Sequence, residues 1–230
     1  MTDSSPPADD ITPAIPSGTV AILRDRDGGG LEVLMVRRAP DERDTFSGMW
    51  VFPGGAVEES DEAAHVGELA VAQVAAVRET LEEAGIALSP TSLQALDRWE
   101  PEPRSGPHRR YSAWIFLAPA TEGTVTVDGT EIHAHDWLPP AEVLARHAAG
   151  EMRIAPPTWV TLLKLSDHAS VDAAMTWARG RTSDDYRSRM SQVDEEMIIT
   201  WYGDELHDGP EGGRHRLWMT PGGWRYERTS

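Results

Sequence analysis

The sequence predicts an α+β fold, in which strands surround one acidic helix and further helices follow. Three observations support this class. Short apolar runs typical of strands begin at residues 19 and 31. The segment Phe52-Pro53-Gly54-Gly55 predicts a tight turn, because glycine adopts backbone angles that other residues avoid. Residues 78–86, with the sequence RETLEEAGI, then bring three glutamates together at helical spacing.

The remaining elements follow from patterning and turn residues. Strands are predicted at residues 19–23, 31–36, 50–52, 93–100, 110–118, 124–127 and 133–138, the first two as a hairpin around an Asp- and Gly-rich turn. A helix opens after Pro139-Pro140 and closes at Gly150. Short amphipathic helices at 157–166 and 171–180 and strands at 197–202, 214–219 and 224–228 complete the prediction.

Composition divides the chain into three parts. Residues 1–16 are rich in Ser, Pro and Asp and predict a disordered tail. Residues 17–150 predict one domain that carries the acidic helix. Residues 151–230 predict a C-terminal helical and β extension, packed on that domain or at a dimer interface.

Charge and residue usage exclude several classes of protein. The formal net charge of −17 disfavours a nucleic acid polymer as partner, because that binding needs clustered Lys and Arg. The chain has no cysteine, which excludes a disulfide framework, thiol catalysis and thiolate metal sites. No apolar run approaches the ~18–20 residues of a membrane span, and no signal pattern is recognisable. We therefore expect a cytoplasmic protein with no membrane partner.

The acidic helix has two faces. At about 100° per residue, Glu82 and Glu83 lie about 60° and 40° to either side of Glu79. Gly85 is the expected left-handed cap at the C-terminal end. The opposite, apolar side is expected to be buried and consists of Val74, Val77, Leu81 and Ala84.

Helix geometry alone leaves two interpretations of the acidic face open. Glutamates at this spacing are common on solvated helices. However, like charges at this spacing cost roughly 0.2–0.5 kcal/mol a pair, no lysine lies between Arg38 and Lys164, and a helix C-terminus disfavours anions. A bound divalent cation would compensate. Oxygen ligands without His or Cys suit Mg²⁺ or Mn²⁺ rather than zinc.

Gly55, a spacer and the Arg-Glu-x-x-Glu-Glu-x-Gly-hydrophobic run of residues 78–86 resemble the Nudix box of the Nudix hydrolases. In the usual box a glutamate follows the second glycine after five residues, and the Arg-Glu pair follows after seven more. Here Asp61 occupies the position of that glutamate, and Arg78 comes nine residues later than the arginine of the usual box. The box therefore looks expanded by an insertion at residues 65–72, with Gly67 as its break. The resemblance implies an α/β/α sandwich with a mixed sheet.

The same resemblance implies roles for the box residues. Glu79, Glu82 and Glu83 would hold Mg²⁺ or Mn²⁺, which polarise a phosphoryl group and lower the pKa of bound water. Glu82 is weakly favoured as the general base, although the sequence does not fix which glutamate takes the proton. Arg78 would orient a box carboxylate or touch phosphate. The amides of Gly54 and Gly55 would line the turn near the metals.

Two further carboxylates are candidates for the same site. Asp61 occupies the position of a box glutamate, and Glu131 precedes the predicted strand at 133–138. For Glu131, an ordinary glutamate in a turn is an equally good interpretation.

Segments outside the box are similar to the coenzyme A diphosphatases of the peroxisomal type and their bacterial relatives. These are residues 34–39, Arg43, and residues 48–55, 109–111 and 137–165, the last including residues 155–158. Arg38, Arg43 and Arg110, together with Arg37 and Arg109, are candidates for gripping the 3′-phosphate or the pyrophosphate, because arginine forks suit phosphate. Ion pairing with the chain's many acidic residues is the alternative.

The resemblance therefore favours a diphosphatase that acts on a small nucleotide-derived substrate, with coenzyme A or acyl-CoA as the first hypothesis. ADP-ribose, a nucleotide sugar or a dinucleotide could be cleaved by the same machinery. A non-catalytic nucleotide-binding module is the hypothesis from another class, and the costly glutamate cluster argues against it. A homodimer is expected from the resemblance only.

Overall fold

A computed structural model describes residues 13–41, 46–62, 67–103 and 109–229. The strands in these ranges are β1 (Ile15–Asp25), β2 (Leu31–Arg38), β3 (Trp50–Val51), β4 (Gly54–Ala56), β5 (Gln94–Pro101), β6 (Tyr111–Pro119), β7 (Ile132–Leu138), β8 (Asp184–Val193), β9 (Glu196–Thr200), β10 (His215–Thr220) and β11 (Gly223–Arg228). The helices are α1 (Glu59–Glu62), α2 (Glu68–Ala84), α3 (Pro140–Ala148), α4 (Pro156–Leu165) and α5 (Val171–Arg179).

All these strands belong to one mixed sheet. Its order is β11-β10-β9-β8-β5-β6-β1-β2-β3, with β4 paired to β1 and β7 paired to β2. The β1–β2 and β5–β6 pairs are antiparallel, whereas β1–β6 and β5–β8 are parallel. The predicted hairpin and the mixed sheet are confirmed.

Helices cover both faces of the sheet. On one face, alanines of α2 pack with Val20, Ile22 and Phe116. The other face carries α3, α4 and α5, and its core contains Ile115 and Trp159. Neighbouring side chains along a strand point to opposite faces, which is why Ile115 and Phe116 lie in different cores. The arrangement confirms the α+β class and the α/β/α sandwich.

The buried side of α2 differs from the predicted one. Leu81, expected to be buried, is 52% exposed. Ala84 is buried as predicted, and the other buried residues are small or acidic and comprise Ala72, Ala75, Ala76, Thr80 and Glu83. Their size has a physical reason, because a Cβ built on Gly18 of β1 would lie 2.0 Å from the Ala72 carbonyl oxygen. The helix approaches the sheet too closely for larger side chains.

The strand predicted at residues 124–127 is wrong. These residues form no strand, because the Thr126 N–H donates to the Ala84 carbonyl at 2.9 Å and so caps the end of α2. Gly85 has the predicted left-handed conformation, with φ of 68°, and donates to the Leu81 carbonyl. The segment therefore serves the helix terminus rather than the sheet.

The expected insertion in the box is partly helical. Residues 63–66 lie outside the described ranges, and α2 begins at Glu68 directly after Gly67. Residues 68–72 are therefore the first turn of the box helix. Gly67 precedes the helix as its N-cap residue, so it does mark a boundary.

The C-terminal region continues the sheet of the preceding domain. Strand β8, which the sequence did not predict, pairs with β5 in parallel from Asp97↔Asp184 to Pro101↔Ser188. Strands β9, β10 and β11 then follow as antiparallel neighbours. At the other end of the chain, β1 begins at Ile15, two residues before the expected start of the domain at residue 17. In the described ranges, no helix is long and apolar enough to cross a membrane.

Candidate active site

The glycine turn brings β4 against both β1 and α2. A Cβ on Gly54 would lie 2.3 Å from the Gly18 carbonyl oxygen, and Gly54 also has a φ of 147°. A Cβ on Gly55 would lie 2.3 Å from Glu79 Oε1. Only glycine fits at position 54, because the contact is with backbone and φ is positive, and a side chain at position 55 would displace the Glu79 carboxylate.

Glu83 is the most buried carboxylate of the cluster, with 3% of the residue exposed. Its Oε2 accepts the Gly54 N–H at 2.9 Å, and its Oε1 lies 3.5 Å from Arg38 Nη1. Burial raises the pKa of Glu83 to about 8, and the charges of Glu79 and Glu131 add to this rise. The Glu83 carboxyl therefore keeps its proton near neutral pH, because the positive charge around it is too small to stabilise the carboxylate.

Glu79 and Glu131 lie beside this buried group. Burial raises the pKa of Glu79 as well, and Glu131 is again among the charges that raise it. Glu131 is held by the predicted turn, because the backbone N–H groups of residues 130–132 donate to the Asp128 carboxylate. Although burial acts in the opposite direction, hydrogen bonds from Thr130 and these amides lower the pKa of Asp128 to about 2. The turn thus fixes Glu131 next to the box.

Arg78 makes hydrogen bonds and ion pairs with carboxylates of the box and with Asp61 beside it. Its Nε and Nη2 donate to the two oxygens of Asp61 at 3.1 and 3.0 Å, and Nη2 also donates to the Ala56 carbonyl at 3.0 Å. Its Nη1 lies 3.1 Å from Glu79 and 3.0 Å from Glu82. These contacts are compatible with the first of its two predicted roles, the orientation of a box carboxylate, which stays a prediction. Asp61, which is 2% exposed, holds Arg78 in place and does not extend the carboxylate cluster.

One cavity of about 320 Å³ opens at this place. Its acidic side is lined by Gly54, Gly55, Glu79, Glu83, Glu131 and Arg38. Its other side is lined by residues from separate segments, including Phe46, Tyr111, Ala155, Pro157 and Thr158. Glu82 is not in this lining, and its side chain is 58% exposed.

The predicted arginines divide between the cavity and the framework. Arg38 lines the cavity and lies 3.5 Å from both Glu83 and Glu131. Arg110 is 6% exposed, donates to the Pro101 carbonyl at 2.9 Å and pairs with Glu100 at 3.1 Å. It is not among the described residues that line the cavity, and these contacts tie it to β5. Arg43 lies outside the described residues.

The match to a known family decides the family of the chain. Residues 15–157 match the NUDIX domain family. The chain belongs to the NUDIX family. It is a pyrophosphohydrolase, and the family acts on nucleoside diphosphate derivatives. No curated protein matches the chain.

Solved NUDIX structures share the fold. A NUDIX hydrolase from Alicyclobacillus acidocaldarius is 25% identical, with a TM-score of 0.63 over 72% of this chain and 96% of that chain. The NUDIX domain of Shewanella oneidensis NrtR, crystallised with ADP ribose, is 16% identical, with a TM-score of 0.50 over 73% of this chain and 97% of that chain. The first agrees with the hydrolase assignment, and the second supports the fold.

NUDIX hydrolases generally use divalent metal ions, and the donor chemistry here fits them. Glu83, Glu79 and Glu131 offer hard oxygen donors, and a divalent cation that displaced the proton of Glu83 would relieve the repulsion among them. In the ranges that the structure describes, no three His, Asp or Glu side chains form a ready-made metal site. Glu82 would have to leave Arg78 to join Glu79 and Glu83.

Sequence reasoning missed the aromatic and hydroxyl residues of the cavity. Phe46 follows β2 after a loop, Tyr111 begins β6, and Thr158 lies in the first turn of α4. No spacing connects them, because the sheet topology alone brings them together. The resemblance to coenzyme A diphosphatases did include residues 109–111 and 155–158, which was the only available signal.

Proposed function

We propose that this NUDIX protein is a Mg²⁺- or Mn²⁺-dependent diphosphatase that cleaves coenzyme A or acyl-CoA at its diphosphate linkage. One observation supports the proposal above the others. The cavity combines Glu79 and Glu83 of the box with Tyr111, Ala155, Pro157 and Thr158, which belong to the segments that resemble coenzyme A diphosphatases.

The residues of the site would have separate roles in this reaction. Glu79, Glu83 and a released Glu82 would hold the ions, which when bound neutralise phosphoryl charge and activate water. Arg78 would set the orientation of the box carboxylates from its contacts with Asp61. Arg38 is placed to meet a diphosphate oxygen, since a guanidinium suits phosphate. Glu82 remains the proposed general base.

A substrate panel with Mg²⁺ or Mn²⁺ tests the proposal. Coenzyme A, acetyl-CoA, ADP-ribose, NADH, a nucleotide sugar and a diadenosine polyphosphate would be incubated with the wild type, Glu83→Gln and the matched control Glu196→Gln. Glu196 is an exposed acid of β9, outside the cavity. We expect 3′,5′-ADP from coenzyme A with the wild type and the control, and at least about 100-fold slower turnover with Glu83→Gln.

Other outcomes of the panel have definite meanings. Cleavage of another compound in preference to coenzyme A would replace the substrate and keep the site. Equal activity of Glu83→Gln and the wild type would overturn the assignment of the site. Tight nucleotide binding without any cleavage would favour the non-catalytic module. The cytoplasmic location and the homodimer stay predictions, and size-exclusion chromatography with light scattering tests the latter.

A further inference from the structure

The cavity has two chemically different sides, separated by one strand of the sheet. Ser17 of β1 is paired with Ala56 of β4 on one side and with Ala113 of β6 on the other. Neighbouring strands lie about 4.8 Å apart, so β4 and β6 are roughly 10 Å apart across β1. The glutamates of α2 lie against β4, and Tyr111 lies at the start of β6.

The charged residues of the cavity all belong to the β4 side. Arg38 is within 3.5 Å of Glu83 and Glu131, and the charge of Glu131 also acts on Glu79. Among the described residues that line the cavity, these four are the charged ones. None of the described β6 residues that line the cavity is charged.

An aromatic pair forms part of the uncharged side. The rings of Phe46 and Tyr111 have centroids 6.0 Å apart and planes inclined by 49°. Ala113 and Ile115 of β6 line this side with aliphatic side chains, and Pro157 of α4 also lines the cavity. Such a surface takes up flat apolar groups, because aromatic rings bind other π-systems by offset or edge contacts.

Two hydroxyls on this side have no hydrogen-bond partner within the described part of the chain, those of Tyr111 and Thr158. Thr158 is 6% exposed, and it lines the cavity. A hydroxyl that faces the cavity and has no protein partner is available to donate to or accept from a ligand atom. Helix α4 begins with Pro156 and Pro157, which have no N–H and leave fewer donors for an anion than an ordinary helix N-terminus.

We propose that Phe46, Tyr111 and Thr158 form a specificity subsite for the uncharged, planar, hydrogen-bonding part of the substrate. Both a nucleobase and the amide chain of a pantetheine arm have this chemistry. The inference rests on the proposed function, because it assumes that the diphosphate lies on the β4 side. It adds that selection among diphosphates is made about two strands away from the carboxylates, by a surface that would disfavour a further anionic group.

The test compares Tyr111→Phe, Thr158→Val and the double variant with the wild type. Each substitution removes one hydroxyl and nearly preserves shape, and thermal unfolding checks that the variants fold. Glu196→Gln is again the matched control. We expect the KM of the preferred substrate to rise about 3–10-fold for each lost hydroxyl, with kcat within about two-fold of the wild type.

Calorimetric binding of two probes that are not cleaved, AMP and 4′-phosphopantetheine, identifies the group that occupies the subsite. Weaker binding of AMP alone in the double variant would assign the subsite to the nucleobase, and weaker binding of 4′-phosphopantetheine alone would assign it to the amide chain. Unchanged affinity for both probes would overturn the proposal. A wild type that cleaves nothing, but loses affinity for one probe in the double variant, would refute the proposed function and retain the subsite.

Discussion

Two buried carboxylate clusters in the described part of the chain, one in the cavity and one between β5 and β8, differ in how their charge is balanced. In the cavity, Glu83 and Glu79 face each other with few cations nearby, and burial raises the pKa of both. Between β5 and β8, Asp97 is fully buried, with Lys164 at 2.8 Å and Arg181 at 3.0 Å. The first cluster has negative charge left over, and the second is fully paired.

The paired cluster joins the C-terminal strands to the rest of the sheet. Asp184 of β8 contacts Lys164, Arg181 and Arg228, the last through two hydrogen bonds of 2.8 and 2.9 Å. Burial alone would raise the pKa of Asp184, but these cations hold it well below its usual range. The aromatic ring of Tyr186 stacks on Trp99 beside them, at 4.0 Å.

This difference separates a site for function from a site for stability. Proteins tolerate uncompensated charge where a ligand will later supply the opposite charge, and removing that charge often increases stability while activity is lost. A paired buried cluster behaves in the opposite way, because removing one member leaves the others unbalanced. The two clusters should therefore respond with opposite signs to the same chemical change.

The largest expected effect is on the paired cluster. Asp97→Asn leaves Lys164 and Arg181 without their shared buried partner and should lower the free energy of unfolding by about 3–5 kcal/mol. Glu83→Gln keeps an acceptor for Gly54 and removes the cost of burying the carboxylate or protonating it on folding, so it should leave stability unchanged or raise it by on the order of 1 kcal/mol. Urea unfolding in EDTA at pH 7 measures both. A comparable loss in the two variants would mean that the clusters do not differ as described.

The second effect is a dependence on pH. Because the folded pKa of Asp184 lies below its unfolded value of about 4, its stabilisation is present above that pH and is lost as the pH falls below it. The stability difference between the wild type and Asp184→Asn should therefore shrink by roughly 1–2 kcal/mol between about pH 5 and pH 2. Thermal unfolding across this range tests it, with the half-exposed neighbour Asp185→Asn as control. A difference independent of pH would contradict this account.

The same contrast explains which parts the sequence could predict. Strands β1, β2, β5, β6 and β7 have apolar runs, and the predictions for them are confirmed to within a few residues. Strand β8 has the sequence DDYRSRMSQV, whose polar residues serve ion pairs with distant elements. Its Asp184 is matched by cations from α4, β11 and the loop after α5, and no local pattern contains that information.

The site was predictable where its residues share one helix. Glu79, Glu82 and Glu83 lie together because helical spacing requires it, although only two of them line the cavity. Tyr111 and Thr158 reach it through the parallel pairing of β1 with β6 and the placement of α4, which depend on long-range topology. The exposed position of Leu81 was missed for a related reason, since the burial of α2 is decided by the close approach of Gly18.

The smallest expected effect tests whether the close approach at Gly18, rather than large apolar side chains, decides which residues of α2 are buried. Leu81 is 52% exposed, so Leu81→Ala should change the free energy of unfolding by less than about 0.5 kcal/mol, as at ordinary surface positions. Ala76 is fully buried, and a Cβ on Gly18 would lie 3.1 Å from its Cβ. Ala76→Val, the matched change on the buried side, should cost about 1–3 kcal/mol through overpacking. Urea unfolding compares the two, and a larger loss for Leu81→Ala would mean that the apolar side chains of α2 hold it to the sheet. The small effect would instead show that the helix is held by its alanines, which let it come close enough to place Glu79 and Glu83 against the glycine turn.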